Sequence, residues 1–390
     1  MELYETNTKL DKMLQKKMDE NFRPFGGSFE LLPLCNMDCK MCYVKRTPAQ
    51  VAEEGRILDW TEWLDIGRQA RDAGVLFLLL TGGEPLLYPH FKELYRGLNE
   101  MGLVLTLNTN GTLIDQEWAD FFQEYPCSRI NITIYGKDDE TYGRLCSNPQ
   151  GYSQVIHACR LLKKRRVPFR LHASITPDNY KEIGDIFRIA HELDAPLRPA
   201  TYMFPGVRIG HDASTQQRLD PETAGRCAVE CYRHIYPNPD DFLANIRALL
   251  TNMFKAPRML PVEGFNCHAS RSGFWINWKG QMQSCGMQSG PLYSLLDASF
   301  ESCWNQIVEH GKTVKYPEEC RTCSIQNICT MCVANLLAEN QHMENPSSHV
   351  PEYLCRYSHA QVEEMIRYIP EEEQDMYRRV YLYGNTELIF

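Results

Sequence analysis

Long apolar runs are missing from this chain of 390 residues: the longest, VLFLLL from Val75 to Leu80, falls far short of the ~20 residues needed to cross a bilayer. The first thirty residues are charged and hold no apolar stretch of the export-signal kind. Neither a membrane helix nor secretion is expected, and the expected location is cytoplasmic. A basic excess is also missing. With 41 Lys and Arg against 50 Asp and Glu, the net charge of -9 argues against broad attraction to nucleic acid or anionic lipid. A small molecule or a peptide is the expected partner. No internal repeat or low-complexity tract is found.

What the chain does have is cysteine, 16 in all. Without an export signal a disulfide framework is disfavoured, because the cytosol keeps thiols reduced, and metal binding is the natural alternative. Three cysteines cluster at Cys35, Cys39 and Cys42, and seven sit at Cys267, Cys285, Cys320, Cys323, Cys329, Cys332 and Cys355. Cys127, Cys146, Cys159, Cys227, Cys231 and Cys303 are scattered and read best as buried small apolar residues.

Between the two clusters, short apolar strands alternate with helical stretches. Strands are expected at Ser28 to Leu34, Val75 to Leu80, Leu103 to Leu107, Ile130 to Tyr135, Phe169 to Ile175 and about Pro196 to Thr201. Helices are expected around Thr61 to Ala73, Phe91 to Met101, Asp115 to Glu124, Tyr152 to Arg165 and Asn179 to Leu193. Six βα units imply an α/β fold with a parallel sheet in an open or partial barrel, its active site at the C-terminal ends of the strands. The expected organisation is a helical lead-in over 1–25, the barrel over 26–203, a proline-broken bridge over 204–265, a cysteine-rich module over 266–360, and a C-terminal helix and tail over 361–390, the helix from about Gln361 to Arg379.

Cys35-Asn-Met-Asp-Cys39-Lys-Met-Cys42 falls at the end of the first expected strand. A structural zinc site wants four protein ligands, and no fourth cysteine or histidine lies nearby in sequence, although a zinc knot stays open as an alternative. Three thiolates would leave one iron of a cubane cluster open to a ligand that is not protein. Thr81-Gly82-Gly83-Glu84-Pro85 follows the second strand, and Tyr142-Gly143-Arg144 follows the fourth.

On these motifs the chain resembles the radical S-adenosylmethionine superfamily, whose hallmarks are a Cys-x3-Cys-x2-Cys loop after the first strand of a partial (βα)6 barrel and a Gly-Gly-Glu-Pro signature after the second. The resemblance implies a [4Fe-4S] cluster on Cys35, Cys39 and Cys42 that cleaves S-adenosylmethionine reductively to a 5′-deoxyadenosyl radical, fed by an electron donor such as flavodoxin or ferredoxin. It also implies cofactor contacts from Gly82, Gly83 and Glu84, the glycines permitting close backbone approach and the carboxylate receiving the cofactor ammonium. Arg144 is implied to pair with the cofactor carboxylate, with a solvated surface arginine as its rival. Asn108 and Thr133, at the tips of the third and fourth strands, are candidate ribose or carboxylate contacts. The position before the last cysteine, often aromatic in the family, is Met41 here, and Tyr43 follows.

Downstream, Cys267-x12-Gly280-x4-Cys285, then Cys320-x2-Cys323-x5-Cys329-x2-Cys332, then Cys355, resembles the SPASM extension, which houses auxiliary [4Fe-4S] clusters. One residue fewer than the family spacing precedes Cys332, and a pair of zinc ribbons is the alternative. By that resemblance Cys320, Cys323, Cys329 and Cys355 close one cluster. Cys267, Cys285 and Cys332 are left for a second with an open iron, unless Cys303 serves as an eighth ligand. The implied activity is peptide or protein modification, with thioether or carbon–carbon cross-linking ahead of a sulfatase-type maturase forming formylglycine, and a non-enzymatic zinc protein as the alternative of another class. Only 34 residues precede Cys35, so any leader recognition is expected from the barrel rim, the bridge or a separate partner. The polar and aromatic run from Arg198 through Tyr202 and Arg208 to His211 is expected at the barrel mouth.

Overall fold

The computed structural model describes residues 9–206, 208, 217–254 and 264–383. His211 lies outside them. Six strands, β1 (Gly26–Glu30), β2 (Phe77–Thr81), β3 (Val104–Thr109), β4 (Arg129–Ile134), β5 (Phe169–Ser174) and β6 (Leu197–Ala200), lie side by side in chain order. All five pairings are parallel, as βα crossovers require. This is the expected partial (βα)6 barrel, with helices Trp60–Asp72, Phe91–Glu100, Gln116–Glu124, Gly151–Lys164 and Ile183–Glu192 in the crossovers.

Strand alternation explains how the site is built. In β3, Leu105 and Leu107 are buried, and in β4 so are Ile130, Ile132 and Ile134. Because successive side chains point to opposite faces, Asn108 and Thr133 fall on the other face, inside the barrel. Outside, Asp59 and Glu62 form a capping box that starts the helix Trp60–Asp72. That helix sets the fully buried Trp63 against Phe29 of β1, ring centroids 4.7 Å apart. Losing such an aromatic side chain costs about 3–5 kcal/mol, so this contact holds the strand that launches the cysteine loop.

The structure departs from the sequence reading in three respects. β1 ends at Glu30, so residues 31–34 have already left the sheet. Two short helices, Pro48–Glu54 and Asp139–Cys146, were not expected. The single helix expected over 361–379 is two, Glu352–Arg367 and Glu371–Tyr383, parted at Pro370, which has no N–H to donate and crowds the preceding turn. In the proline-broken bridge, Pro221 and Pro239 open the helices Pro221–Ile235 and Pro239–Thr251, where a missing N–H costs nothing.

The sheet also runs past β1. β7 (Gly273–Ile276) pairs with it in parallel, and β8 (Gln281–Gln283) and β9 (Tyr293–Ser294) follow antiparallel. The cysteine-rich region therefore hydrogen-bonds directly to the first barrel strand. Gly27 allows it, since a Cβ there would stand 2.1 Å from the Phe274 ring. Among the described residues no helix is long and apolar enough to cross a membrane.

Candidate active site

The cysteine loop is held from behind by the helix Asp139–Cys146, whose last carbonyls accept from it: Asp38 N–H to Cys146 O at 2.9 Å and Lys40 N–H to Leu145 O at 3.1 Å. Met37 is buried beneath the loop. Cys35, Cys39 and Cys42 all border one cavity of about 390 Å³ at the C-terminal mouth of the barrel. Burial pushes the Cys35 thiol up to about 12, with the neighbouring Glu84, Cys39 and Cys42 adding to it, and burial raises Cys42 as well. Backbone N–H groups work the other way: Met37 donates to Cys35 Sγ and Lys45 to Cys42 Sγ, each at 3.4 Å. The Cys39 thiol is lowered, first by a hydrogen bond with the buried Cys146 and also by one from Tyr135, against the cost of burial. Cys146, buried in the core as its sequence position suggests, is thus also a neighbour of the loop.

Gly82 and Gly83 border the same cavity, but the close approach they allow is to protein. A Cβ on Gly83 would sit 2.3 Å from Leu34 O, and one on Gly82 2.5 Å from Leu32 O. Gly83 N–H and Glu84 N–H donate to Leu32 O and Leu34 O, so the Gly-Gly-Glu turn is laced to the segment entering Cys35. Glu84 does not itself line the cavity. Its carboxylate is fully buried and turned inward, accepting from Leu86 N–H at 3.1 Å, Thr109 Oγ1 at 2.8 Å and Asn110 N–H at 2.8 Å. Burial lifts its pKa to about 7 against those three donors. Glu84 therefore braces the tips of β2 and β3 together.

Asn108 and Thr133 do border the cavity, and Asn108 Oδ1 accepts from Asn131 Nδ2 at 2.7 Å. Arg144 does not. Its guanidinium turns toward the β5 side, donating to Asp178 O at 2.9 Å and standing 3.4 Å from Asp178 Oδ1 and 3.7 Å from Glu182. It is 40% exposed. A half-exposed pair of this kind contributes little, so Arg144→Ala should leave S-adenosylmethionine affinity within about twofold of the parent, measured by equilibrium binding to reconstituted protein. A tenfold loss would return Arg144 to the site.

Several cavity residues escaped the sequence reading: Asn110, whose Nδ2 reaches Cys35 Sγ at 3.7 Å, with Tyr135, Ser174 and Met287. Ser174 and Tyr135 end or follow strands, so the rule that places active sites at strand C-termini was the available signal.

The seven downstream thiols lie close together, and Cys332 neighbours both Cys267 and Cys329. Burial and then Cys329, Cys323 and Cys355 push the Cys320 thiol up to about 12. Burial and then Cys332 and Cys267 push Cys285 to about 11. Six of the seven, all but Cys285, line a second cavity of about 360 Å³. Cys303 stands apart. It is fully buried in the helix Phe300–Thr313, its Sγ directed at Ser294 O 3.5 Å away, and burial alone raises it, with no thiol beside it.

Residues 29–190 match the family model of the radical SAM superfamily. The chain carries a radical SAM domain. Over most of its length it is also similar to proteins named AdoMet-dependent heme synthase: 24% identical over 350 residues to that of Oleidesulfovibrio alaskensis, covering 85% of this chain and 86% of the relative. The Methanosarcina barkeri protein is 23% identical over 331 residues, covering 80% and 91%. Among solved structures the fold is similar to Streptococcus suis SuiB bound to S-adenosylmethionine, with TM-score 0.61, 16% identity, and 88% of this chain and 80% of that one covered. It is likewise similar to anSMEcpe with bound AdoMet and Cp18Cys peptide, with TM-score 0.65, 18% identity, and 93% and 100% covered.

The radical SAM superfamily uses a [4Fe-4S] cluster and S-adenosylmethionine, and the residues present fit both. Cys35, Cys39 and Cys42 offer three soft thiolates on one cavity, a donor set suited to iron–sulfur ligation. Thiols raised by burial are held as thiolates once metal binds, with release of their protons. When bound, the pair supplies one-electron reductive cleavage to a carbon radical. Around the cysteines, Asn108, Asn110, Thr133 and Ser174 present neutral donors and acceptors to the cavity, and Met37, Met41, Met203 and Phe204 line it with apolar surface.

Proposed function

We propose that this radical SAM protein abstracts hydrogen from a peptide side chain and cross-links it, a thioether from a substrate cysteine being the product that the site suits best. The observation that carries this reading is the adjacency of the reaction cavity to the three-thiol set. Met287, two residues past Cys285, lines the reaction cavity, as does Tyr202, which is close enough to Cys332 for that thiol to help raise its hydroxyl. A substrate thiol placed at the open position of a cluster on Cys267, Cys285 and Cys332 would therefore adjoin the carbon being activated. In the overall change, C–H and S–H are replaced by C–S. One hydrogen atom goes to the 5′-deoxyadenosyl radical, and one proton and one electron leave, the electron to the auxiliary cluster. SuiB and anSMEcpe, which share the fold, have been solved with the precursor peptide SuiA and the Cp18Cys peptide, which supports a peptide partner.

Similarity to heme synthases over at least 80% of the chain favours a second reading, a tetrapyrrole substrate. Against it, the described residues lining the reaction cavity include no Arg, Lys or His to pair with porphyrin carboxylates. They include no Asp, Glu or His either, so formylglycine formation would have to draw its general base from a tyrosine or a thiol.

The test is anaerobically reconstituted enzyme with S-adenosylmethionine and dithionite, challenged with a cysteine-containing peptide encoded beside its gene or with an iron porphyrin. The expected result is peptide-dependent 5′-deoxyadenosine and a peptide lighter by two hydrogens. Stimulation by the porphyrin and not the peptide would decide for the second reading.

A further inference from the structure

Glu30, the last residue of β1, has a fully buried side chain whose carboxylate the mechanism above does not use. It accepts from Arg208 Nη2 at 2.7 Å and from Trp275 Nε1 of β7 at 2.9 Å. Arg208 is itself nearly buried, at 13% exposure, and its other terminal nitrogen donates to Gly286 O at 3.1 Å, the carbonyl next to Cys285. Its backbone carbonyl accepts from Arg46 Nη2 at 2.6 Å, and Arg46 N–H in turn donates to Pro33 O. The lattice thus joins the catalytic cysteine loop, the segment after β6 and the strands that carry Cys285. Gly286 keeps it compact, since a Cβ there would lie 2.6 Å from the Trp275 ring.

A buried ion pair contributes little net stability, because removing two charges from water offsets their attraction, and well-packed apolar residues would serve as well. What this pair does achieve is to fix a guanidinium against the backbone of a thiol ligand in a water-poor place. Such a charge acts on a neighbouring cluster through a low dielectric, and it favours the reduced form, which carries one more negative charge. The same charge faces Tyr43, which neighbours Cys42 and Cys285, and Glu30 is the carboxylate that acts on both Arg208 and Tyr43.

We propose that Arg208, held in place by Glu30, is the positioning residue that raises the reduction potential of the cluster on Cys267, Cys285 and Cys332, and so makes it an electron acceptor for the reaction. This rests on the reading of those three thiols as a cluster site. The experiment is an anaerobic redox titration of the reconstituted full-length enzyme, followed by electron paramagnetic resonance. The catalytic signal is identified by its change on adding S-adenosylmethionine.

In Arg208→Gln, one of the signals insensitive to S-adenosylmethionine should move to lower potential by about tenfold in its equilibrium constant, which is 59 mV for one electron, while the others stay. Glu30→Gln removes the counter-charge and should move the same signal upward. Arg208→Lys keeps the charge and should stay near the parent. Opposite signs in the first two variants cannot come from loosened packing, so shifts in the same direction, or no shift, overturn the assignment. Iron and sulfide counts separate the two claims. Fewer than three clusters in the parent protein removes the cluster reading and the assignment with it, whereas three clusters and an unmoved potential in Arg208→Gln overturn the assignment alone.

Discussion

Replacing Cys35, Cys39 and Cys42 together by alanine should abolish 5′-deoxyadenosine formation under dithionite while the downstream thiol sets keep their iron. The three thiols border one cavity, and the six downstream thiols of the second cavity border another, so the two iron populations are held by separate walls. The loop's backbone anchors, Asp38 to Cys146 and Lys40 to Leu145, do not involve the sulfur atoms, so the alanine variant keeps its support and the protein should stay folded. Iron and sulfide analysis with quantification of 5′-deoxyadenosine reads both halves of the result. Undiminished product in the triple variant would remove these cysteines from the reaction.

A second large effect is expected from a single methyl group. Gly83→Ala places a Cβ 2.3 Å from Leu34 O and 2.7 Å from its carbonyl carbon, both backbone atoms that no rotamer change can move aside. Something must shift, and the atoms in the way belong to the residue immediately before Cys35. A displacement of about 1 Å at a reacting site costs on the order of 100-fold in rate. Gly83→Ala should therefore lose that much 5′-deoxyadenosine formation, together with iron from the catalytic site, and keep its auxiliary iron. If S-adenosylmethionine affinity falls while catalytic iron and the EPR signal of its cluster are unchanged, Gly83 serves cofactor contact, as its motif implied, and not the cysteine loop.

The difference between those two outcomes shows where sequence reasoning stops. The spacing of Cys35, Cys39 and Cys42, the Gly-Gly-Glu turn and the strand–helix alternation are local properties of the chain, carried by ligand chemistry and by side-chain periodicity. Periodicity sufficed for a parallel sheet in an open or partial barrel, and the cofactor class came with the resemblance that these motifs carry to the radical S-adenosylmethionine superfamily. Neither could say which way a polar side chain turns at a loop. Glu84 follows two cavity-lining glycines, yet its carboxylate is claimed by Thr109 and Asn110, some 25 residues on, because β3 lies beside β2. Arg144 lies on a helix beside the cysteine loop but faces Asp178 across the next connection.

For the downstream thiols the family resemblance had already set Cys329 with Cys320, Cys323 and Cys355, and Cys332 with Cys267 and Cys285. Packing sets Cys320 beside Cys329, Cys323 and Cys355, Cys285 beside Cys332 and Cys267, and Cys332 beside Cys329 as well. Nothing local in Gly26–Glu30 announces that a strand 247 residues further along will pair with it, Gly26 opposite Gly273. That pairing is what brings Trp275 and Gly286 to Glu30 and Arg208, and Met287, two residues past Cys285, to the reaction cavity. The chain by itself determined the chemistry available, since ligand types and element periods are written residue by residue. Tertiary structure decided which groups meet, because those contacts join residues far apart in the chain and depend on how whole elements pack.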